Sequence, residues 1–359
     1  MKRIAARAAG LVLAVLFATG ASAATWEIRA DGSGAFTTIM AAVTACSSGD
    51  VLDIGAGVWT ESVEITKSLT LVGHGDATVM DGTGNSRHLW VHGLCSVMVS
   101  DIAFVDGYAD NGSSVVVWQG ADASFTRCTF SGNHAYESNA MVVRHVGTHV
   151  VVTQCIFRDN TADVTSAAIG VGMGAVARLE DSVFENNRAY LISGAVNNDA
   201  SRLDVTGCLF IRNGSKNTGA LVYSEGGGIV ANNTFFANSG PINGSVRLWP
   251  GTVFEGNIVA GERSGPGVAD EGATRTCNLY FDNVAGDLLG GLPLTPTEWH
   301  ADPLFCDWAG DVFTVCAISP ALPEVNGCGA IGAFGEGCDA CGPVASEPET
   351  WGGLQARFR

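Results

Sequence analysis

Trp118, His145, Asn198, Tyr223 and Trp249 share a place in the chain: each lies at or next to the end of a short apolar run. The runs read SSVVVW, AMVVRH, SGAVNN, GALVYS and GSVRLW, with Arg144, Asn197 and Arg247 beside them. Indole, phenol and imidazole rings interleaved with carboxamides are groups that stack on a sugar ring and hydrogen-bond its hydroxyls. If the five side chains point outward, they form one shallow groove, a candidate site for a neutral or weakly charged glycan. His145 would add a pH response near the ordinary histidine value of about 6.5.

Catalytic chemistry is harder to assemble. Glycoside hydrolysis uses two carboxyl groups about 5–10 Å apart. The acidic residues Asp159, Asp163, Glu180, Asp181, Glu185, Asp199, Asp204 and Glu225 form no recurring column. A lyase needs a base and carboxylates that hold calcium, and only Asp181 and Asp204, with Arg178 or Arg202, are spaced to supply them. Catalytic residues are therefore unknown. No cofactor or metal is expected, and calcium enters only on the lyase reading. Cys338-Asp339-Ala340-Cys341 has the spacing of half a zinc site but lacks a second pair.

A repeat must position any of these groups. Phe104, Phe130, Phe157, Phe184, Phe210 and Phe235 follow one another at 26, 27, 27, 26 and 25 residues, and Val259 continues at 24. Three places after each Phe from the second copy on stands Asn133, Asn160, Asn187, Asn213 or Asn238. Two places before stand Cys128, Cys155, Ser182, Cys208 and Asn233. A period in this range means stacked units that cannot bury their cores alone. No segment carries a helical stripe long enough for helical repeats, and the leucine ladder of a leucine-rich repeat is absent. Short β-branched strands separated by turns recur instead. The expected fold is all-β: a single-stranded parallel β-helix whose equivalent positions stack about 4.8 Å apart. The Phe column then fills the core and the Asn column forms a ladder at a turn. The Cys column supplies small inward residues, read as buried free thiols.

The ends read differently. Phe36, Ile39 or Met40, Val43 and Cys46 fall on one helical face, with Thr37 or Thr38 to cap it. This helix should cover the first coil, since open strand edges invite aggregation. Cys277, Cys306, Cys316, Cys328, Cys338 and Cys341 crowd together and read as a disulfide-stapled cap, their pairing open. Residues 1–23 have the basic start, apolar run and Ala-Ser-Ala of a secretory signal peptide. The expected organisation is signal peptide 1–23, N-terminal cap 24–50, coils 51–276, Cys-rich coil and cap 277–342, and tail 343–359. Without residues 1–23 the chain carries 16 basic and 36 acidic residues, and Lys67 and Lys216 are its only lysines. Such a surface excludes nucleic acid and anionic membranes as partners, and no segment is apolar enough for a membrane span.

DGSGAFTTIMAAV followed by GVWTESVEITKSLTLVGHG, within residues 30–82, resembles the opening of pectin methylesterases and of other pectin-lyase-fold proteins. The esterase family's Gln-Asp-Thr, Asp-Phe-Ile-Phe-Gly and Leu-Gly-Arg-Pro-Trp are missing, so the resemblance implies the capping module and not the activity. Gly73-His74-Gly75 resembles a polygalacturonase element, but that family's other motifs are missing too. ADPLFCDWAGDVFTVCAISPAL and GAIGAFGEGC resemble the closing segments of secreted bacterial right-handed β-helix proteins. That resemblance implies the right-handed sense. The function expected is a monomeric, exported, non-catalytic scaffold or carbohydrate-binding protein of the cell surface, with an extracellular polysaccharide or surface component as partner. The alternative is a polysaccharide lyase or glycoside hydrolase.

Overall fold

The computed structural model describes residues 23–339 apart from 139 and 225, and of residues 137, 138, 223 and 224 the backbone alone. The expected signal peptide, Ala23 excepted, and the expected tail lie outside the described residues. The chain is all-β, about 12 turns of a right-handed parallel β-helix. A typical turn runs through a five-residue strand (His149–Thr153), a three-residue strand (Ile156–Arg158), a short strand (Thr161–Ala162) and a fourth (Ile169–Gly172). Each pairs in parallel with its equivalent one turn on.

The corners are left-handed. Asp101, Arg127, Gln154, Asp181 and Asn232 have positive φ before the Cys column, and Asp106, Asp159, Asn186, Arg212, Ala237 and Asp282 have it before the Asn column. Isolated, such a residue is disfavoured; stacked turns hold it by hydrogen bonds above and below.

Inside, the six phenylalanines form one stack, with successive centroids 4.9, 4.4, 5.1, 4.6 and 4.8 Å apart and planes within 12°. All six are fully buried. The Asn column is a closed hydrogen-bond ladder. Asn160 Oδ1 accepts from Asn133 N (3.1 Å) and Nδ2 (2.9 Å), and its Nδ2 donates to Phe130 O (3.0 Å) and Asn187 Oδ1 (2.9 Å). The pattern repeats to Asn238 and satisfies buried backbone at every turn. The Cys column does the same work with sulfur and then oxygen. Cys128 N donates to Cys155 Sγ (3.4 Å), Cys155 N to Ser182 Oγ (3.1 Å) and Cys208 N to Asn233 Oδ1 (2.8 Å). From there Asn233, Asn257 and Asn278 form a second amide ladder that ends on buried Glu298. The column's three thiols are free and buried, and burial pushes Cys208 up to about 12.

At the N-terminus the helix Ile39–Ala45 buries Ile39, Ala42 and Val43. Thr38 Oγ1 accepts from Ala41 N, and the Glu61 carboxylate accepts from Ile39 N (2.8 Å) and Met40 N (2.9 Å). The expected N-terminal boundary shifts. Thr25–Ile28 already pairs with Val51–Ile54, so coiling starts inside the expected cap. At the other end Leu279–Phe281 continues the coils and pairs with Trp299–His300, within the segment 277–342. The Cys-rich segment is a flank as well as an end. It folds back along the rod and lays Phe313, Phe305 and Phe334 over Ile156, Val183, Leu209 and Ile211, which point out of the coils. Arg212 clamps it by two bonds to Asp311, and Cys277–Cys328 ties it to a coil. Cys306–Cys338 closes the segment on itself, so Cys338 is in a disulfide and supplies no half-site for zinc.

Candidate functional site

Asn198 does not join an outer face with the other residues of the expected groove. The strand Val196–Asp199 buries alternate residues, and that alternation turns Asn198 inward, fully buried, with Nδ2 donating to Ser201 O (3.0 Å). Tyr223 is its register partner, with only its backbone described. Trp118 is in register with Arg144, and His145 lies one residue further, at a left-handed corner. Trp249 follows the strand Gly244–Leu248 and packs partly against the core, with Arg247 5.3 Å from its ring. Trp118 does sit in an aromatic cluster, 5.5 Å from Trp90 and 5.7 Å from His145. The lyase arrangement also separates: Asp204 pairs with Arg202 on a strand face, whereas Asp181 is at a corner. His74 is held by Asp53 (2.9 Å), which Arg29 also grips.

The structure assembles a different set. After Asn133, Asn160 and Asn187 the chain runs out–in–out. Ala135, Ala162 and Ala189 point in, buried and in register, and the residues on either side point out. The first outward row reads Tyr108, His134, Thr161, Arg188, Gly214, Ser239 and Arg263. Its register is set by backbone bonds such as Thr161 N to Asn133 O, Arg188 N to Asn160 O and Arg263 N to Asn238 O. The second row reads Asp110, Tyr136, Asp163, Tyr190 and Lys216, with Tyr190 N on Ala162 O and Lys216 N on Tyr190 O. Residues one and three places after the ladder therefore make a continuous outer face on the four-stranded sheet Tyr108–Asn111, His134–Ser138, Thr161–Ala162 and Arg188–Ala189, and just beyond it.

This face presents rings and charges to solvent. Tyr108, Tyr136 and Tyr190 are 40, 53 and 55% exposed. Tyr108 stacks on His134 with centroids 5.6 Å apart; His134 Nδ1 is 2.9 Å from Thr161 Oγ1, and its Nε2 is 3.5 Å from Asp163. Lys216 Nζ lies 3.6 Å above the Tyr190 ring. The hydrogen bond and charge of that ammonium hold the Tyr190 phenol below its ordinary value. Arg188, Lys216 and Arg263 have no ion pair among the described residues, although the formal charge of the chain is −17. Two clefts open on the face: one of about 540 Å³ between Asp81, Asp106, Tyr108 and His134, the other of about 350 Å³ between Arg188, Tyr190, Ser215, Lys216, Ser239 and Ser264. Among the described residues no group of three or more His, Cys, Asp or Glu is placed to hold a metal ion, and no helix is long and apolar enough to cross a membrane.

Such a surface can stack on the apolar faces of sugars, accept and donate to hydroxyls, and neutralise carboxylates at its basic end. The sequence carried its signal as a fixed offset from each ladder Asn. The apolar runs chosen above lie beyond loops of variable length, where that offset is lost.

No protein-family model matches the chain, and no curated protein matches it. Solved structures similar to it include a pectin methylesterase from Aspergillus niger, at 15% identity over 79% of this chain and 91% of that one, TM-score 0.40. A mannuronic acid specific polysaccharide family 6 lyase from human gut microbiota is 12% identical over 79% and 86%, TM-score 0.46. A pectin methylesterase from carrot is 16% identical over 78% and 86%, TM-score 0.35. None of them supplies a residue role for this chain.

Proposed function

We propose that the protein is an exported, non-catalytic β-helix that binds an acidic extracellular polysaccharide along the face formed one and three residues after its Asn ladder. The observation that carries this is the line of exposed Tyr108, Tyr136 and Tyr190 running into Arg188, Lys216 and Arg263, cations in no ion pair among the described residues. A turn of the helix advances about 4.8 Å, close to one sugar unit, so successive units meet successive turns. The disulfides suit an oxidising compartment. The cations favour an anionic polymer over the neutral or weakly charged glycan expected for the groove.

The test is affinity electrophoresis on polygalacturonate, alginate and a neutral β-glucan. Retardation on the polyuronates, weakened by salt and by Arg188→Gln with Lys216→Gln, is expected, because exposed ion pairs are screened. Equal retardation on the neutral gel, or none on any gel, would sink the proposal.

One observation favours the lyase alternative. The Tyr190 phenol, lowered by Lys216, shares an outer face with Arg188 two residues before it. Acting as base, the Tyr190 oxygen would take the C5 proton of a uronate whose carboxylate Arg188 holds, the C–H electrons forming the C4=C5 bond as the C4–O glycosidic bond breaks and the leaving oxygen takes a proton from water. Ultraviolet-absorbing unsaturated product from a polyuronate, abolished in Tyr190→Phe, would establish that reading against simple binding.

A further inference from the structure

An aromatic pocket of about 460 Å³ lies where the basic end of this face meets the returning C-terminal segment. From it we infer a second subsite: it takes a single carboxylate-bearing sugar, the terminal unit of the acidic glycan. The inference rests on the glycan reading of the face and shares Arg263 with it, but its other residues are different.

Two parts of the chain build the pocket. Phe236 and Phe281 come from the outer side of the three-residue strands, and Phe305 and Trp308 from the folded-back segment. Phe236 meets Phe305 and Trp308, each at 5.8 Å between centroids, and Trp308 remains 58% exposed. Those rings offer flat apolar walls within the size range of small-ligand sites, about 300–1,000 Å³. The polar groups decide what fits. Arg263 lines the pocket, exposed and without an ion pair among the described residues, and Asp282 and Asp302 line it too. An apolar guest would strip water from three charges and give nothing back. A phosphate would suit Arg263 but face two carboxylates. A uronic acid answers all of them: its carboxylate goes to the guanidinium, its hydroxyls donate to Asp282 and Asp302, and its C–H face lies on a ring. The pocket also continues the face, because Arg263 holds the same place after the ladder as Arg188, and Ser264 beside it lines the neighbouring cleft.

The full secreted chain would be titrated with methyl α-galacturonoside by saturation-transfer NMR and with hexagalacturonate by calorimetry. The monosaccharide is expected to bind wild type and to weaken fivefold or more in Arg263→Gln and in Trp308→Ala. It should bind unchanged to Arg188→Gln/Lys216→Gln, which weakens the hexamer tenfold or more. Thermal unfolding would confirm that the variants are folded; Arg263 is exposed, so Arg263→Gln serves if Trp308→Ala is not. No monosaccharide binding, or equal binding by wild type and both pocket variants, overturns the pocket and leaves the face intact. Hexamer binding indifferent to Arg188→Gln/Lys216→Gln overturns the face instead.

Discussion

Asn160→Ala tests whether the amide ladder is an energetic element or a by-product of the repeat. The substitution removes the one partner of Asn133 N among the described residues, an oxygen 3.1 Å away, and the Nδ2 that bonds Phe130 O at 3.0 Å. It halves the bonding of two further groups, since Asn133 Nδ2 still donates to Phe104 O and Asn187 Oδ1 still accepts from the residue-160 amide. Asn160 is fully buried. Asn133 N is orphaned, whereas Phe130 O lies in a paired strand, so the loss is about 1–3 kcal/mol, less if water enters. Urea unfolding followed by far-ultraviolet circular dichroism would read it as a shifted midpoint with unchanged slope. Asn187→Ala should cost a similar amount. The double variant should fall short of the sum by the one amide–amide bond the two share, about 0.5–1.5 kcal/mol. A loss below about 0.5 kcal/mol for Asn160→Ala, or strict additivity of the pair, would refute the ladder as a cooperative support.

Phe157→Ala, between rings at 4.4 and 5.1 Å, should cost about 3–5 kcal/mol in the same unfolding assay, and a cost under about 1 kcal/mol would place the column outside the core. Glu262 takes the ladder position after Asn238, buried, and burial raises its carboxyl. Its stabilisation is then full below the unfolded carboxyl value and lost as pH rises through the folded one. Glu262→Gln should therefore raise the melting temperature at about pH 8 and lose that advantage near pH 4, whereas a pH-independent difference would show that ionisation is not the cause. Lys216→Met should return the Tyr190 phenol towards its ordinary value in a tyrosinate difference titration; no change would mean that the ammonium does not act on the ring.

The columns were legible because stacking makes their spacing strict. Phe157 and Asn160 must lie over Phe130 and Asn133, so a count along the chain finds them. The Asn233, Asn257 and Asn278 ladder was half visible, since Asn233 already stood in the Cys column, and one acceptor oxygen does the same work as a thiol there. The groove misread has a specific cause. Loops before the fourth strand differ in length, so a one-residue error turned Asn198 from the outer row to the inner one; in a strand, one step reverses a side chain. The folded-back segment was hidden because its docking surface is the outside of distant coils. Its trace was present nonetheless: Ile156, Val183, Leu209 and Ile211 are apolar where an exposed strand would be polar.

The division of labour between rows explains where function can sit on such a rod. Inward positions are nearly invariant down the stack, Phe over Phe and Asn over Asn, because each copy supports the next. The outward row one place after the ladder repeats no residue between neighbours: Tyr108, His134, Thr161, Arg188, Gly214, Ser239 and Arg263. Side chains that support nothing below them are free to differ, and here they differ in order. Asp81, Asp106, Asp110 and Asp163 stand towards the first turns, and Arg188, Lys216 and Arg263 towards the last, where Asp282 and Asp302 flank Arg263. An acidic polymer is held most strongly at the basic half, where its carboxylates find cations, and least at the acidic half, where like charges repel them. A symmetric repeat thus yields a graded surface without changing a core residue.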